Sequence, residues 1–280
     1  MSFHFYCNKS RSESKQKVRT KCVDRFSCIM FCNIRYTKDR DHLKSRKKET
    51  KRSRLWRGET NVNSYGKFLY TDGHTSVTMQ YKLSYFDVMG LGEPIRFLLS
   101  YGGAEFEDIR IDREQWGKFK PATPFGQMPI LEFDGKVYSQ TLPICRYLAK
   151  KYNLNGKTDL DDLQIDAIAN ALHDLRKQVA LFYRSTDPNE KAKRKEEVLT
   201  TTLPFYLKKL EELAHNNGGY LHGGQLSYAD LFFVAISDSI NNACELDIGK
   251  NNPNLKSLRE KVLAIPKIKE WVQKRPKLEF

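Results

Sequence analysis

Tyr85 is the residue in this 280-residue chain best placed to do chemistry. It stands near the end of a short alternating run, Tyr81-Lys82-Leu83-Ser84-Tyr85-Phe86, ahead of a loop holding Gly90 and Gly92 and a helix opening on Glu93-Pro94. A phenol at a strand end, facing a helix start, is positioned to donate a hydrogen bond to a bound anion. Taken alone, a strand tyrosine is more commonly a core or edge aromatic, so the chemistry depends on its neighbours. Other reactive patterns fall away. Gly156-Lys157-Thr158 has the ending of a phosphate loop, but Lys151 stands where the upstream glycine belongs and no strand precedes it. Cys22, Cys28, Cys32 and His42 lack the C-x2-C knuckle of a strong zinc site. No C-x-x-C lies beside the first helix, which disfavours dithiol redox chemistry.

The elements that must position Tyr85 are legible around it. Tyr81–Phe86 follows the period-2 pattern of a half-buried strand. Pro94 falls in the first turn of the next helix, where its missing N–H costs nothing, and Gly102-Gly103 stops that helix. Phe106 to Ile111 reads as a second strand, followed by a polar loop and short helix from Asp112 to Lys120 and a proline-dense turn from Pro121 to Pro129. Asp134-Gly135 between Ile130–Phe133 and Lys136–Tyr138 is a hairpin signal. A helix from Thr141 to Lys151 completes a β-α-β-α-β-β-α order, an α/β layer with a small mixed sheet.

Downstream, apolar residues from Leu163 to Val179 recur near the 3.6 period in a helix beginning at Asp159. A second long helix is expected from Asn189 to Leu213, kinked or broken at Pro204. Ser227-x-x-Asp230 ahead of Leu231-Phe232-Phe233-Val234-Ala235-Ile236 is a capping-box signature. Leu255 to Ile268 supply the last helices, with a break at Pro266.

Charge separates the chain into unlike parts. Of the net +14, residues 1–78 hold 19 Lys/Arg against 7 Asp/Glu, whereas the remainder is nearly neutral. The basic extension lacks the periodicity of a core and reads as disordered or at most transiently helical. Three roles compete for it: nucleic-acid or nuclear-localisation contact through Lys44–Arg57, the weak Cys/His set, or a targeting peptide. A start at Met79 is the bland alternative, and membrane association is a further one. Only Cys145 and Cys244 lie in the rest, and lone cysteines in apolar helices favour a reducing, cytoplasmic setting. No run approaches the length of a membrane-spanning helix.

With Trp116, Lys120, Gln127-Met128-Pro129 and Gln140-Thr141 in order after Tyr85, residues 80–280 resemble the soluble glutathione transferases, specifically the sigma class of nematode and insect members and prostaglandin D synthases. The resemblance implies a thioredoxin-like α/β domain over residues 79–156 that binds glutathione, and an all-α domain over 157–280 that binds the acceptor. It implies Tyr85 as the catalytic donor to the glutathione sulfur: the thiolate is the nucleophile, and a donor to the charged form lowers the thiol pKa. Trp116 and Lys120 would hold the glycyl end, Lys120 neutralising its carboxylate. Met128 would offer its backbone to the cysteinyl moiety ahead of a cis bond to Pro129, with Gln127 beside it as a further glutathione-binding residue. Gln140 and Thr141 would hold the γ-glutamyl carboxylate at a helix N-terminus. Asp174 would reach across a homodimer interface to the partner's glutathione, and Asp230 would be structural.

Three positions depart from the vertebrate prostaglandin D synthases. Leu91 stands where they carry an arginine that assists thiolate formation, and Asn170 and His173 replace two of three metal-binding carboxylates, so no metal site is expected. The expected activity is conjugation of glutathione to an apolar electrophile or reduction of organic hydroperoxides. Prostaglandin isomerisation and a non-catalytic, crystallin-like role on the same fold are the alternatives. Phe182 and Tyr183 are candidate linings of the acceptor pocket.

Overall fold

The structure, a computed structural model, describes residues 80–278. The expectations for residues 1–78, their disorder, basic run, Cys/His set and targeting role, lie outside the described residues. Four strands form one mixed sheet in the order β2-β1-β3-β4. β1 (Tyr81–Phe86) pairs in parallel with β2 (Phe106–Ile111), Tyr85 facing Arg110, and antiparallel with β3 (Ile130–Phe133), which turns at Asp134-Gly135 into edge strand β4 (Lys136–Ser139). β1 is an inner strand, so Ser84 is buried along with Tyr81, Leu83 and Tyr85. The half-buried pattern expected for it gives way to burial on both faces, because neighbours flank both edges and helices cover the sheet.

Helix α1 (Glu93–Tyr101) is buried almost throughout, including the charged Glu93 and Arg96, because it lies between α3 (Thr141–Lys151) and the helical layer. The short α2 (Trp116–Phe119) and a tight 3-10 turn at Lys120–Ala122 connect β2 to the proline-rich loop.

The helical layer begins with α4 (Asp159–Tyr183), whose 25 residues extend about 37 Å at 1.5 Å per residue. Its start is fixed by a capping box: the Asp161 N–H donates to Thr158 Oγ1 at 3.2 Å, and the Thr158 N–H donates to the Asp161 carboxylate at 3.0 Å. The single kinked helix expected across Pro204 is α5 (Pro188–Glu197), a π-helical turn (Val198–Thr202) and α6 (Leu203–Asn216). The widened turn makes room for a proline ring that the regular ladder would exclude, and Pro204 then sits in the first turn of α6.

Helix α7 (Tyr228–Cys244) is buried nearly all round and packs against α1, α4 and α8 (Pro253–Leu263), with α9 (Pro266–Lys274) closing the chain. Its N-terminus is built as the sequence anticipates. The Asp230 carboxylate accepts the Ser227 N–H at 2.7 Å, the Ser227 hydroxyl at 2.8 Å and the Leu221 N–H at 2.8 Å. One apolar core runs from the sheet through α1 into α4 and α7. Cys145 and Cys244 are free thiols within it, and burial pushes both up, Cys244 to about 11, so neither is a ready nucleophile.

Candidate active site

The loop after β1 is folded down onto the Tyr85 ring. Glycine is required twice for that contact: a Cβ at Gly90 would stand 2.7 Å from the Tyr85 hydroxyl oxygen, and one at Gly92 would stand 2.8 Å from the ring. Gly90 also has φ +41°, in the left-handed region. The close approach lets the Leu91 N–H donate to the Tyr85 hydroxyl oxygen at 3.1 Å. That bond occupies the oxygen as an acceptor and leaves the phenolic hydrogen to be donated elsewhere. Tyr85 is only 2% exposed, and a donor shielded from water is electrostatically stronger than a solvated one.

The loop is pinned from below. Arg96 donates to the carbonyls of Val88 and Met89 at 3.1 and 3.3 Å, and its guanidinium lies 5.9 Å from the Tyr85 ring centre. A buried guanidinium needs counter-charges. Glu93 and Asp108 supply them at 3.0 and 2.8 Å, and Glu93 in turn accepts Trp271 Nε1 at 2.8 Å and Arg275 at 2.7 Å. The Tyr85 loop is thereby tied to the last helix of the chain.

Beside the Tyr85 loop, whose Leu91 is part of the lining, opens a cleft of about 590 Å³ between the two layers. Phe86, Leu91, Trp116, Gln127, Met128 and Pro129 line one side, with Gln140 and Thr141 at the N-terminus of α3. The Met128–Pro129 bond is cis. Gln140 holds φ +74°, a backbone state costly for a residue with a side chain, and its Nε2 donates to Gln127 Oε1 at 3.1 Å. The Thr141 hydroxyl donates to the Leu91 carbonyl at 3.3 Å, joining the α3 N-terminus to the Tyr85 loop. The first amides of a helix and its dipole favour an anion at that point.

Of the residues singled out in the sequence, Trp116, Gln127, Met128, Gln140 and Thr141 therefore converge on one cleft, with Tyr85 behind its Leu91 wall. Lys120 is exposed at the margin, its side chain lying over Gly126, which does line the cleft. Asp174 is exposed on α4 and does not line the cleft. Phe182 faces the core at 1% exposure, and Tyr183 lines a separate cavity with Met89 and Arg275. No cluster of three His, Cys, Asp or Glu side chains suited to a metal lies among the described residues.

The opposite wall was not anticipated. It is one stripe of α4 and its C-cap, His173, Arg176, Lys177, Ala180 and Arg184. The three- and four-residue spacing was available in the sequence, but nothing there says which face of α4 meets the sheet domain. Burial lowers the pKa of His173, with Arg176 and Lys177 adding to the effect and Asp174 opposing it. The imidazole is therefore neutral at physiological pH.

Residues 81–150 match the family model of the glutathione S-transferase N-terminal domain, and residues 173–275 match that of the glutathione S-transferase C-terminal domain. The chain belongs to the glutathione S-transferase family. Glutathione S-transferase S1 of Drosophila melanogaster is 40% identical over 201 residues, covering 71% of this chain and 80% of that protein. Hematopoietic prostaglandin D synthase of Rattus norvegicus is 36% identical over 201 residues, covering 71% of this chain and 98% of its own. Among solved structures, the prostaglandin synthase D of Nilaparvata lugens superposes with a TM-score of 0.68 at 44% identity, covering 71% of this chain and 99% of that one. The expected architecture, a thioredoxin-like α/β layer followed by a helical layer, is the transferase fold.

Proposed function

We propose that this chain is a glutathione transferase of the sigma class that activates the glutathione thiol through Tyr85. The observation that carries the reading is the Tyr85 hydroxyl, shielded from water and already accepting the Leu91 N–H at 3.1 Å, so that its hydrogen is available to a sulfur in the adjoining cleft. Glutathione lies with its γ-glutamyl carboxylate at the α3 N-terminus by Gln140 and Thr141. Its cysteinyl backbone pairs with Met128 beside Gln127, and its glycyl carboxylate lies toward Trp116 and Lys120. The thiol loses its proton to solvent, the Tyr85 O–H stabilises the thiolate, and the sulfur attacks an electrophilic acceptor. Residues 79–156 serve as the glutathione domain and residues 157–280 as the acceptor domain.

The working unit is a homodimer in the cytoplasm, where the protein serves detoxification. Val137, Tyr138 and Tyr147 leave an exposed apolar surface on β4 and α3, Tyr138 and Tyr147 each stacking on Phe133. Salt bridges Arg146–Asp166 and Lys150–Asp162 join α3 to the start of α4, where Leu160 and Leu163 are also exposed. A partner seated there would bring Asp174 toward the neighbouring glutathione. The free, buried thiols of Cys145 and Cys244 fit a reducing compartment.

The test is purification of the full chain on glutathione-agarose, followed by conjugation of 1-chloro-2,4-dinitrobenzene by wild type and Tyr85→Phe. Loss of one hydrogen bond to a charged sulfur, worth about 1.5–3 kcal/mol, lowers the rate roughly 10- to 100-fold. An unchanged rate and thiol pKa in Tyr85→Phe would show the tyrosine mechanism to be wrong. Isomerisation of a prostaglandin endoperoxide is the second reading, favoured by the 44% identity to a prostaglandin synthase, and is decided by direct product assay.

A further inference from the structure

Arg176 differs from the other ionisable side chains of the stripe that walls the cleft. Lys177 and Arg184 are exposed and His173 is half-buried, whereas Arg176 is 2% exposed and still contributes to the cleft lining. Burial holds its pKa down to about 10; the Tyr85 phenol, on β1 of the other layer, is the opposing influence, and Arg184 acts in the same direction as burial. A guanidinium at that value remains a cation across the neutral range. Arg176 lines the cleft from the helical layer, and apolar Leu91, whose N–H donates to the Tyr85 hydroxyl oxygen at 3.1 Å, lines it from the other.

The other groups around that volume do not duplicate the charge. His173 is held neutral by burial. Asp174 and Lys177 on α4 and Arg184 at its C-cap are exposed, and screening weakens exposed charges. Arg96, 5.9 Å from the Tyr85 ring centre, does not line the cleft and is matched by Glu93 and Asp108. Gln127, Gln140 and Thr141 are uncharged.

We propose that Arg176 is a second thiolate-stabilising residue, a fixed cation delivered from the helical layer to the glutathione sulfur held by Tyr85. This rests on the glutathione reading of the cleft and assigns a division of labour within it. The thiol proton leaves to solvent, Tyr85 donates its hydrogen to one side of the sulfur, and Arg176 faces the other while remaining protonated throughout. An opposite charge within about 4–6 Å shifts a pKa by roughly 1–3 units. The effect is electrostatic, so it should follow charge rather than side-chain shape.

The experiment titrates the thiolate ultraviolet absorbance of the glutathione complex against pH for the full chain, Arg176→Met, Arg176→Lys and Tyr85→Phe. Arg176→Met should raise the thiol pKa by about 1 unit, cutting turnover at neutral pH about tenfold. Turnover should recover at alkaline pH, and glutathione affinity in acid should be unchanged. Arg176→Lys should restore most of the shift. A purely structural role would lower the melting temperature and leave the pH profile in place, and a folded Arg176→Met with wild-type thiol pKa overturns the proposal.

Should Arg176→Met fail to fold, the Tyr85→Phe protein carries the test through ligand charge. Glutathione sulfonate, with a fixed negative charge at the sulfur position, should bind it at least tenfold more tightly than S-methylglutathione; equal affinities overturn the proposal. The two readings fail separately. If wild type neither binds glutathione nor shows a depressed thiol pKa, the glutathione reading itself falls. If Tyr85→Phe raises that pKa and Arg176→Met does not, only the role of Arg176 falls.

Discussion

Gly90→Ala is the sharpest probe of how the Tyr85 loop works. Two costs can be separated. The backbone holds φ +41°, and placing a side chain in that left-handed state costs about 1–2 kcal/mol. The new Cβ would also stand 2.7 Å from the Tyr85 oxygen and 2.9 Å from its ring, so loop and ring must separate by roughly 0.7–1 Å to reach ordinary contact. That displacement takes the Leu91 N–H, now at 3.1 Å, out of hydrogen-bond range and moves the phenol relative to the sulfur. A misplacement of this size costs on the order of 100-fold in rate.

Gly103→Ala is the control. Gly103 has φ +65° but no atom within 4 Å of its added Cβ, so it carries the backbone cost alone. Chemical denaturation and steady-state conjugation should be run on both. Gly103→Ala should lose about 1–2 kcal/mol of stability with full activity. Gly90→Ala should lose about 2–3 kcal/mol and most of its kcat, with the KM for glutathione nearly unchanged because other residues hold both ends of the tripeptide. Equal activity in the two variants would refute the argument that ring-to-loop contact sets the position of the donor.

Arg275→Met removes a cation shared by Glu93 and Asp238 and should cost about 3 kcal/mol in a denaturant titration, because the buried Glu93 loses part of its compensation. The same network predicts acid sensitivity. Burial works against the Asp238 carboxylate, but Arg259 and Arg275 outweigh it and hold its pKa below the ordinary value. Its contribution is therefore complete above the unfolded value of about 3.9 and is lost as pH falls through the lower folded value, so Asp238→Asn should flatten the acid limb of the stability profile. Asp230→Ala strands the Leu221 and Ser227 amides and should cost about 3 kcal/mol by denaturant titration, with any surviving folded protein retaining its KM for glutathione. Tyr147→Glu places a charge in the exposed apolar surface of α3 and should shift a dimer to monomer in sedimentation; an unchanged dimer would move the interface elsewhere.

The order of strands and helices was legible because each signal is local. Period-2 alternation in Tyr81–Phe86, Asp134-Gly135 at the hairpin and Ser227-x-x-Asp230 at α7 act within a few residues, and all lie where the sequence places them. Pro204 announced a break but not its form, since a π-helical turn depends on how α5 and α6 pack as well as on the proline. The converging set Trp116, Gln127, Met128, Gln140 and Thr141 was readable through the family resemblance that its order carries.

What the sequence determined by itself was the set of elements, the family they spell out and the tyrosine at the strand end. Tertiary structure alone decided how that tyrosine is equipped. The Leu91 N–H on its oxygen follows from a loop folded back over the ring. The Glu93 partners Trp271 and Arg275 lie 178 and 182 residues away in the chain. The cationic wall around Arg176 exists because one face of α4 is turned to the sheet layer while Phe182 on the same helix is turned to the core. Periodicity says that a helix has faces. Only packing against a second layer says which face meets the cleft, because that choice is made by contacts between residues distant in the chain.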